Sequence, residues 1–152
     1  SSSHAPFTPV PNLLPWDALG DGTVFNDVAQ SGDAPEVVWS DAQRVREQYR
    51  LAVNYSLRTV FEYIERHAHQ ADLVIVIGDH EPAPFISGGK GTEVPMHIIG
   101  PPELIADIES WDWTPGLIPQ ATTQTWGMDA FRDRFVQTFS QPLEPKTVVT
   151  QQ

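Results

Sequence analysis

Ala71-Asp72-Leu73-Val74-Ile75-Val76-Ile77-Gly78-Asp79-His80-Glu81-Pro82 is the stretch that decides the fold class. Its centre is an unbroken run of β-branched and apolar residues closed by Gly78. The run is too short for an isolated core helix and suits a strand covered on both faces, as in a parallel sheet. Gly78 lets the chain turn sharply out of the sheet. Asp79 and His80 follow at once, a carboxylate and an imidazole on a rigid strand end. Both are good ligands for Zn²⁺ or Mn²⁺. The same dipeptide also suits a polar turn in which the Asp acts as a cap.

On the N-terminal side of this stretch, Ser40 to His69 forms the best helix. Ser40 with Gln43 fits a capping box. Val45, Tyr49, Val53, Val60 and Ile64 recur at helical spacing, with charged residues on the other positions, so one face is expected to be buried and the other solvated. On the far side, Val94 to Ile99 is a second apolar run, and Pro95 delays the start of its ladder to about Met96. Pro101 and Pro102 open a helix through about Trp111, with Leu104, Ile105 and Ile108 inward. Met128 to Phe139 is the last helix, with Phe131, Phe135 and Phe139 four apart. Residues 1–40 read as a short extended segment near Ser3–Thr8 followed by a long loop, 41–140 as a compact α/β unit, and 141–152 as a loose tail or late edge strand. Helix, strand, loop, strand, helix is the order of an α/β layer fold, and such sheets place their chemistry at the C-terminal ends of strands.

The 152-residue length suits one domain with one sizeable core. The formal net charge of -11 argues against a nucleic-acid partner, because phosphate binding needs clustered Lys and Arg. Cysteine is absent, which excludes disulfides, thiolate ligands and a Cys nucleophile. No apolar run approaches the roughly 18 residues of a membrane span, and no basic-then-apolar leader opens the sequence.

The long helix followed by Ala71-Asp72-Leu73-Val74-Ile75-Val76-Ile77-Gly78-Asp79-His80-Glu81-Pro82 resembles the C-terminal half of the alkaline phosphatase/sulfatase superfamily. The likeness is to the membrane-anchored sulfatase-like branch that includes lipoteichoic acid synthases and phosphoethanolamine transferases. Ser2-Ser3-His4-Ala5-Pro6-Phe7 gives a second match, to the branch's Ser/Asn-His-x-Pro-Phe segment. The resemblance implies that Asp79 and His80 are two ligands of a divalent metal (Mn, Zn, Mg or Ca) and that His4 contacts the phosphate-type oxygens of the substrate. It implies the C-terminal portion of an α/β/α sandwich, a mainly parallel sheet flanked by helices. It implies a small anionic ester or lipid-linked substrate, an extracytoplasmic location and membrane attachment only through segments absent from this sequence. The family's nucleophile, a Thr or Ser near an early acidic ligand, has no counterpart before His4, and Leu57 follows Tyr55-Ser56 where the family often has Asp. The expectation is therefore a fragment of a larger hydrolase or phospho-group transferase, weak or absent metal binding, and no activity alone. The likeness spans roughly residues 1–105.

Other residues bear on the same chemistry. His67 and His69 sit at a helix end, where the dipole favours an imidazolium. His97 lies within a strand and either packs there or reaches the site as a further ligand. Ser87-Gly88-Gly89-Lys90-Gly91 resembles a phosphate loop in glycine content but lacks the P-loop spacing; Lys90 could still meet an anionic substrate. Glu81 could orient His80 or a water. Trp111, Trp113 and Trp126 cover the edge of the core, with carbohydrate stacking as a second role. The acidic surface, the Trp residues and the missing nucleophile also suit a different class, a non-catalytic extracytoplasmic binding or interaction domain.

Overall fold

The computed structural model describes residues 3–28, 31–69, 72–89 and 91–140. They combine helices with a small two-stranded antiparallel sheet. The helices are α1 (Pro35–Val38), α2 (Ala42–His67), α3 (Pro84–Ser87), α4 (Pro102–Ala106) and α5 (Met128–Phe139); the strands are β1 (Val74–Ile77) and β2 (Met96–Ile99). Short 3-10 turns cover Trp16–Ala18, Thr23–Phe25 and Glu109–Trp111. The expected tail at 141–152, and Lys90, lie outside the described residues. No helix among the described residues is long and apolar enough to cross a membrane.

α2 is the spine of the molecule. Val45, Tyr49 and Ala52 recur at helical spacing, and Val45 and Ala52 are fully buried. They pack with Phe7 and Val38 into one core, edged by Val10, Tyr49 and Ile86. Further along α2 cover is thinner, and Val60, expected inward, is exposed together with Leu57 and Tyr63. Trp16 reaches this end of α2, with its ring 5.9 Å from Tyr63 and 6.0 Å from His67.

The cap of α2 differs from the capping box expected at Ser40. Asp41 is the N-cap, and its carboxylate accepts from the backbone N–H of Gln43 at 2.7 Å and of Arg44 at 3.4 Å. The Ser40 hydroxyl is engaged elsewhere, donating to the Val37 carbonyl at the end of α1. A charged carboxylate is the stronger acceptor for the orphan N–H groups of a helix start.

β1 and β2 pair antiparallel, with Val74 opposite Ile99 and Ile77 opposite Met96. The parallel pairing suggested by the apolar runs is not the pairing between these two strands. An apolar run reports burial and carries no record of its neighbour's direction. β2 starts at Met96, as the proline before it requires: Pro95 has no N–H for the ladder, and its carbonyl accepts from Gly78 at 3.0 Å instead. Among the described residues neither strand has a second neighbour, so each keeps an outer edge of unpaired backbone groups. Burial is accordingly partial, and Ile77 is exposed. Gly78 sits at a close approach: a Cβ there would meet the Val94 Cβ at 3.1 Å and the Pro95 Cδ at 3.3 Å, so those side chains would have to shift.

The extended segment expected at Ser3–Thr8 is instead a turn, closed by the Phe7 N–H donating to the His4 carbonyl at 3.2 Å. Phe7 adopts a left-handed backbone at φ 63, which an L-residue accepts only when its surroundings over-determine it. Here the Phe7 ring stacks on Trp39 at 6.0 Å and meets Tyr49 edge-on at 5.2 Å. The Trp39 indole N–H donates to the Pro6 carbonyl at 3.1 Å and locks the turn from outside.

A second aromatic cluster closes the other end of the chain. Trp111 is buried, with Trp113, Trp126 and Phe131 around it at 5.7, 5.7 and 6.1 Å. α4 ends at Ala106, short of the helix to about Trp111 that the sequence suggested, and a 3-10 turn takes over at Glu109; Ile108 between them is buried, while Leu104 and Ile105 are half-buried.

Two stability outcomes follow from this packing. Asp41→Ala should cost about 1 kcal/mol, the value of a lost N-cap, whereas Ser40→Ala should stay within roughly 0.5 kcal/mol; urea melts of both variants check which residue caps α2. Phe7→Ala should cost roughly 3–5 kcal/mol, as for other buried aromatic truncations, read by the same melts.

Candidate functional site

The candidate site is built where the strand end meets the N-terminal turn. β1 delivers Asp79 and His80 just past Gly78. The Phe7 anchor delivers His4. The two imidazoles, far apart in sequence, lie with ring centroids 5.9 Å apart and nearly perpendicular. The loop after His80 is tied to α2 through the Arg46 guanidinium, whose Nε donates to the Phe85 carbonyl at 2.9 Å. Trp39 spans both sides, touching Phe7 on one and Phe85 at 6.0 Å on the other. One aromatic residue of the α1–α2 junction therefore braces both segments that carry the site.

The local geometry of Asp79 and His80 is specific. The Asp79 Oδ1 accepts from the His80 backbone N–H at 2.9 Å. That bond turns the other oxygen, Oδ2, toward the His80 Nε2 at 3.5 Å. On the far side of the ring, Nδ1 lies 2.8 Å from the Glu81 carbonyl. A carbonyl oxygen only accepts, so Nδ1 carries a hydrogen toward Glu81 while Nε2 faces the carboxylate. Glu81 thus orients His80 through its backbone rather than its side chain. Both side chains are open to solvent, Asp79 at 82% and His80 at 63%.

The electrostatics follow from these contacts. The His80 backbone N–H holds the Asp79 carboxyl below its ordinary value; desolvation opposes it, and the charges of His80 and His4 add smaller lowering contributions. The stabilisation that goes with a depressed carboxyl is present at neutral pH and is lost as pH falls through the folded value. Tyr49, on the buried face of α2, is pushed up, first by burial and then by the negative charge of Asp79. It is the site neighbour that sequence inspection missed. Its helical period places it in the core, and a core position at the rim of a site carries the same period.

A divalent metal can be tested against these donors. With bond lengths of about 2.0–2.1 Å, neighbouring ligands on a tetrahedral zinc lie roughly 3.3–3.4 Å apart. The Nε2–Oδ2 separation of 3.5 Å is close to that edge. The backbone acceptor behind Nδ1 is the usual second partner of a metal-binding His. Asp79 and His80 therefore fit two positions of a coordination shell. No group of three His, Asp or Glu side chains among the described residues gathers closely enough to hold a metal ion, so the rest of a shell is not supplied by them.

The remaining candidates are engaged elsewhere. His97 Nε2 lies 2.9 Å from the Leu117 carbonyl, tying β2 to the following loop. His67 packs on Tyr63 at 4.8 Å and on Trp16. The His69 backbone N–H donates to Asp72 in the turn before β1. Gly88 and Gly89 end α3 with left-handed backbones at φ 83 and φ 64, which glycine adopts freely.

The coupling of Tyr49 to Asp79 is testable. The Tyr49 phenol should ionise above the ordinary tyrosine value, and Asp79→Asn should bring it part of the way back, since burial remains. Carbon-13 tyrosine NMR titration reads this directly; an unchanged Tyr49 titration in the variant would break the proposed proximity.

Comparison with protein-family models, with curated proteins and with solved structures gave no match for this chain.

Proposed function

We propose that this chain is the C-terminal part of a metal-dependent hydrolase or phospho-group transferase of the sulfatase/phosphatase type, within an α/β/α sandwich completed by other segments. The observation that carries the reading is the meeting of His4 and His80 at 5.9 Å beside Asp79. These are the two motifs on which the family resemblance rests. Their convergence is what a shared site requires, and the Nε2–Oδ2 gap suits a cation.

In this reading Asp79 and His80 would hold the metal, which supplies polarisation of a phosphoryl or sulfuryl oxygen and activation of a hydroxyl nucleophile when bound. The nucleophile, a Thr or Ser, and the remaining ligands would come from outside this chain. His4 would donate a hydrogen bond to the non-bridging oxygens of the substrate and stabilise charge that grows on the transferred group. The Phe7 anchor fixes the backbone of His4, so its imidazole needs little reorganisation when a substrate arrives. Hydrolysis and transfer would differ only in the acceptor that releases the group. The substrate would be a small anionic or lipid-linked ester, and the acidic chain would rely on the metal for positive charge.

Titration of the isolated chain with Zn²⁺ or Mn²⁺, followed by His ring resonances in NMR, tests this reading. Weak binding that moves His80, and that is lost in Asp79→Asn and in His80→Ala but kept in His4→Ala, is the expected result. No phosphatase or sulfatase activity is expected from the chain alone. Stoichiometric sub-micromolar binding would show that this chain completes the shell itself. Unmoved His80 resonances at metal saturation would sink the metal assignment altogether.

A further inference from the structure

A cavity of about 690 Å³ lies between the 92–97 segment and the 113–131 segment, and it is separate from His4, Asp79 and His80. Its volume is in the range of small-molecule sites, roughly 300–1,000 Å³. We propose that this cavity binds a neutral pyranose unit of a glycan.

The first support is the aromatic lining. Trp113 and Trp126 both line the cavity and stay half-exposed. Their rings are 5.5 Å apart and tilted by 53°, and buried Trp111 touches both. Phe131 stacks on Trp113 at 6.2 Å, and the Arg134 guanidinium sits 4.2 Å from the centre of the Trp126 ring. Both indoles are thus fixed before any ligand arrives, which lowers the ordering cost of binding. An indole face is electron-rich, and the axial C–H groups of a pyranose present weakly positive hydrogens to such a face.

The second support is the polar lining. Gln120, Gln124 and Thr125 line the same cavity and are exposed. The side-chain amides of the two glutamines make no hydrogen bond to another described residue. Each offers a donor and an acceptor, the combination that a sugar hydroxyl uses. Charge then narrows the class. No Lys or Arg is among the described residues lining the cavity, and Glu93 lines it. An anionic sugar would meet the Glu93 carboxylate, while the Arg134 guanidinium is engaged over the Trp126 ring and does not line the cavity, so the ligand is a neutral one.

Saturation-transfer NMR and tryptophan fluorescence on the intact chain test this with methyl β-glucoside, methyl α-mannoside and methyl β-N-acetylglucosaminide. At least one glycoside is expected to bind in the millimolar range, with transfer to its axial hydrogens. Gln124→Ala, at an exposed position, should weaken that binding by roughly three- to tenfold, the loss of one hydrogen bond. Trp113→Phe should weaken it further while retaining a ring to pack on Phe131. Glucose 6-phosphate should bind no more tightly than the glucoside. Four outcomes overturn the proposal: no glycoside binds, binding survives both substitutions unchanged, the phosphate ester binds more tightly, or 1-octanol alone occupies the cavity.

Discussion

The burial of the Phe7 ring against Trp39 and Tyr49 is the interaction on which the rest of the site depends. It takes an otherwise irregular segment and fastens it to the longest helix. It holds a left-handed backbone that L-residues avoid, and the cost of that backbone is met by an aromatic side chain with a full set of neighbours. His4 is placed by local contacts of that turn, its carbonyl accepting from the Phe7 N–H and its Nδ1 lying 3.4 Å from the Ala5 carbonyl. The same Trp39 touches Phe85 in α3, so the N-terminal turn and the loop after His80 share one brace.

The division of labour within the site follows from that arrangement. Backbone groups orient the chemistry, and aromatic groups position the backbone. The His80 N–H takes one oxygen of Asp79, and the Glu81 carbonyl takes one nitrogen of His80. What remains is one carboxylate oxygen and one ring nitrogen facing the same gap. The pair achieves this with backbone groups of His80 and of the next residue, Glu81, so the geometry costs no distant contact.

Much of this was legible in the sequence, and the misses have physical causes. The span of α2 follows from apolar spacing, and the start of β2 at Met96 follows from Pro95, because both are local consequences of residue type. The cap was misplaced by one residue: Ser40 and Asp41 are both good caps, and only the competing bond to Val37 decides between them. Strand direction was not legible, because an apolar run looks the same beside a parallel or an antiparallel neighbour. The turn at Phe7 was hidden, since nothing in a Phe announces a positive φ. The pairing of His4 with Asp79 and His80 was suggested by family likeness alone, and spacing could not have supplied it. Tyr49 was seen as a core residue, and its charge coupling to Asp79 arises only in three dimensions.

The two-stranded sheet has a consequence for the chain in solution. Among the described residues β1 has no strand on its outer side, so Val74-Ile75-Val76-Ile77 forms a sheet edge there, and such an edge is a template for another copy. The formal charge of -11 opposes that encounter through long-range repulsion. Salt shortens the reach of this repulsion to about 10 Å at 0.1 M. Colloidal behaviour is therefore set by a contest between a sticky edge and a repelling surface, and ionic strength decides which one a concentrated sample displays.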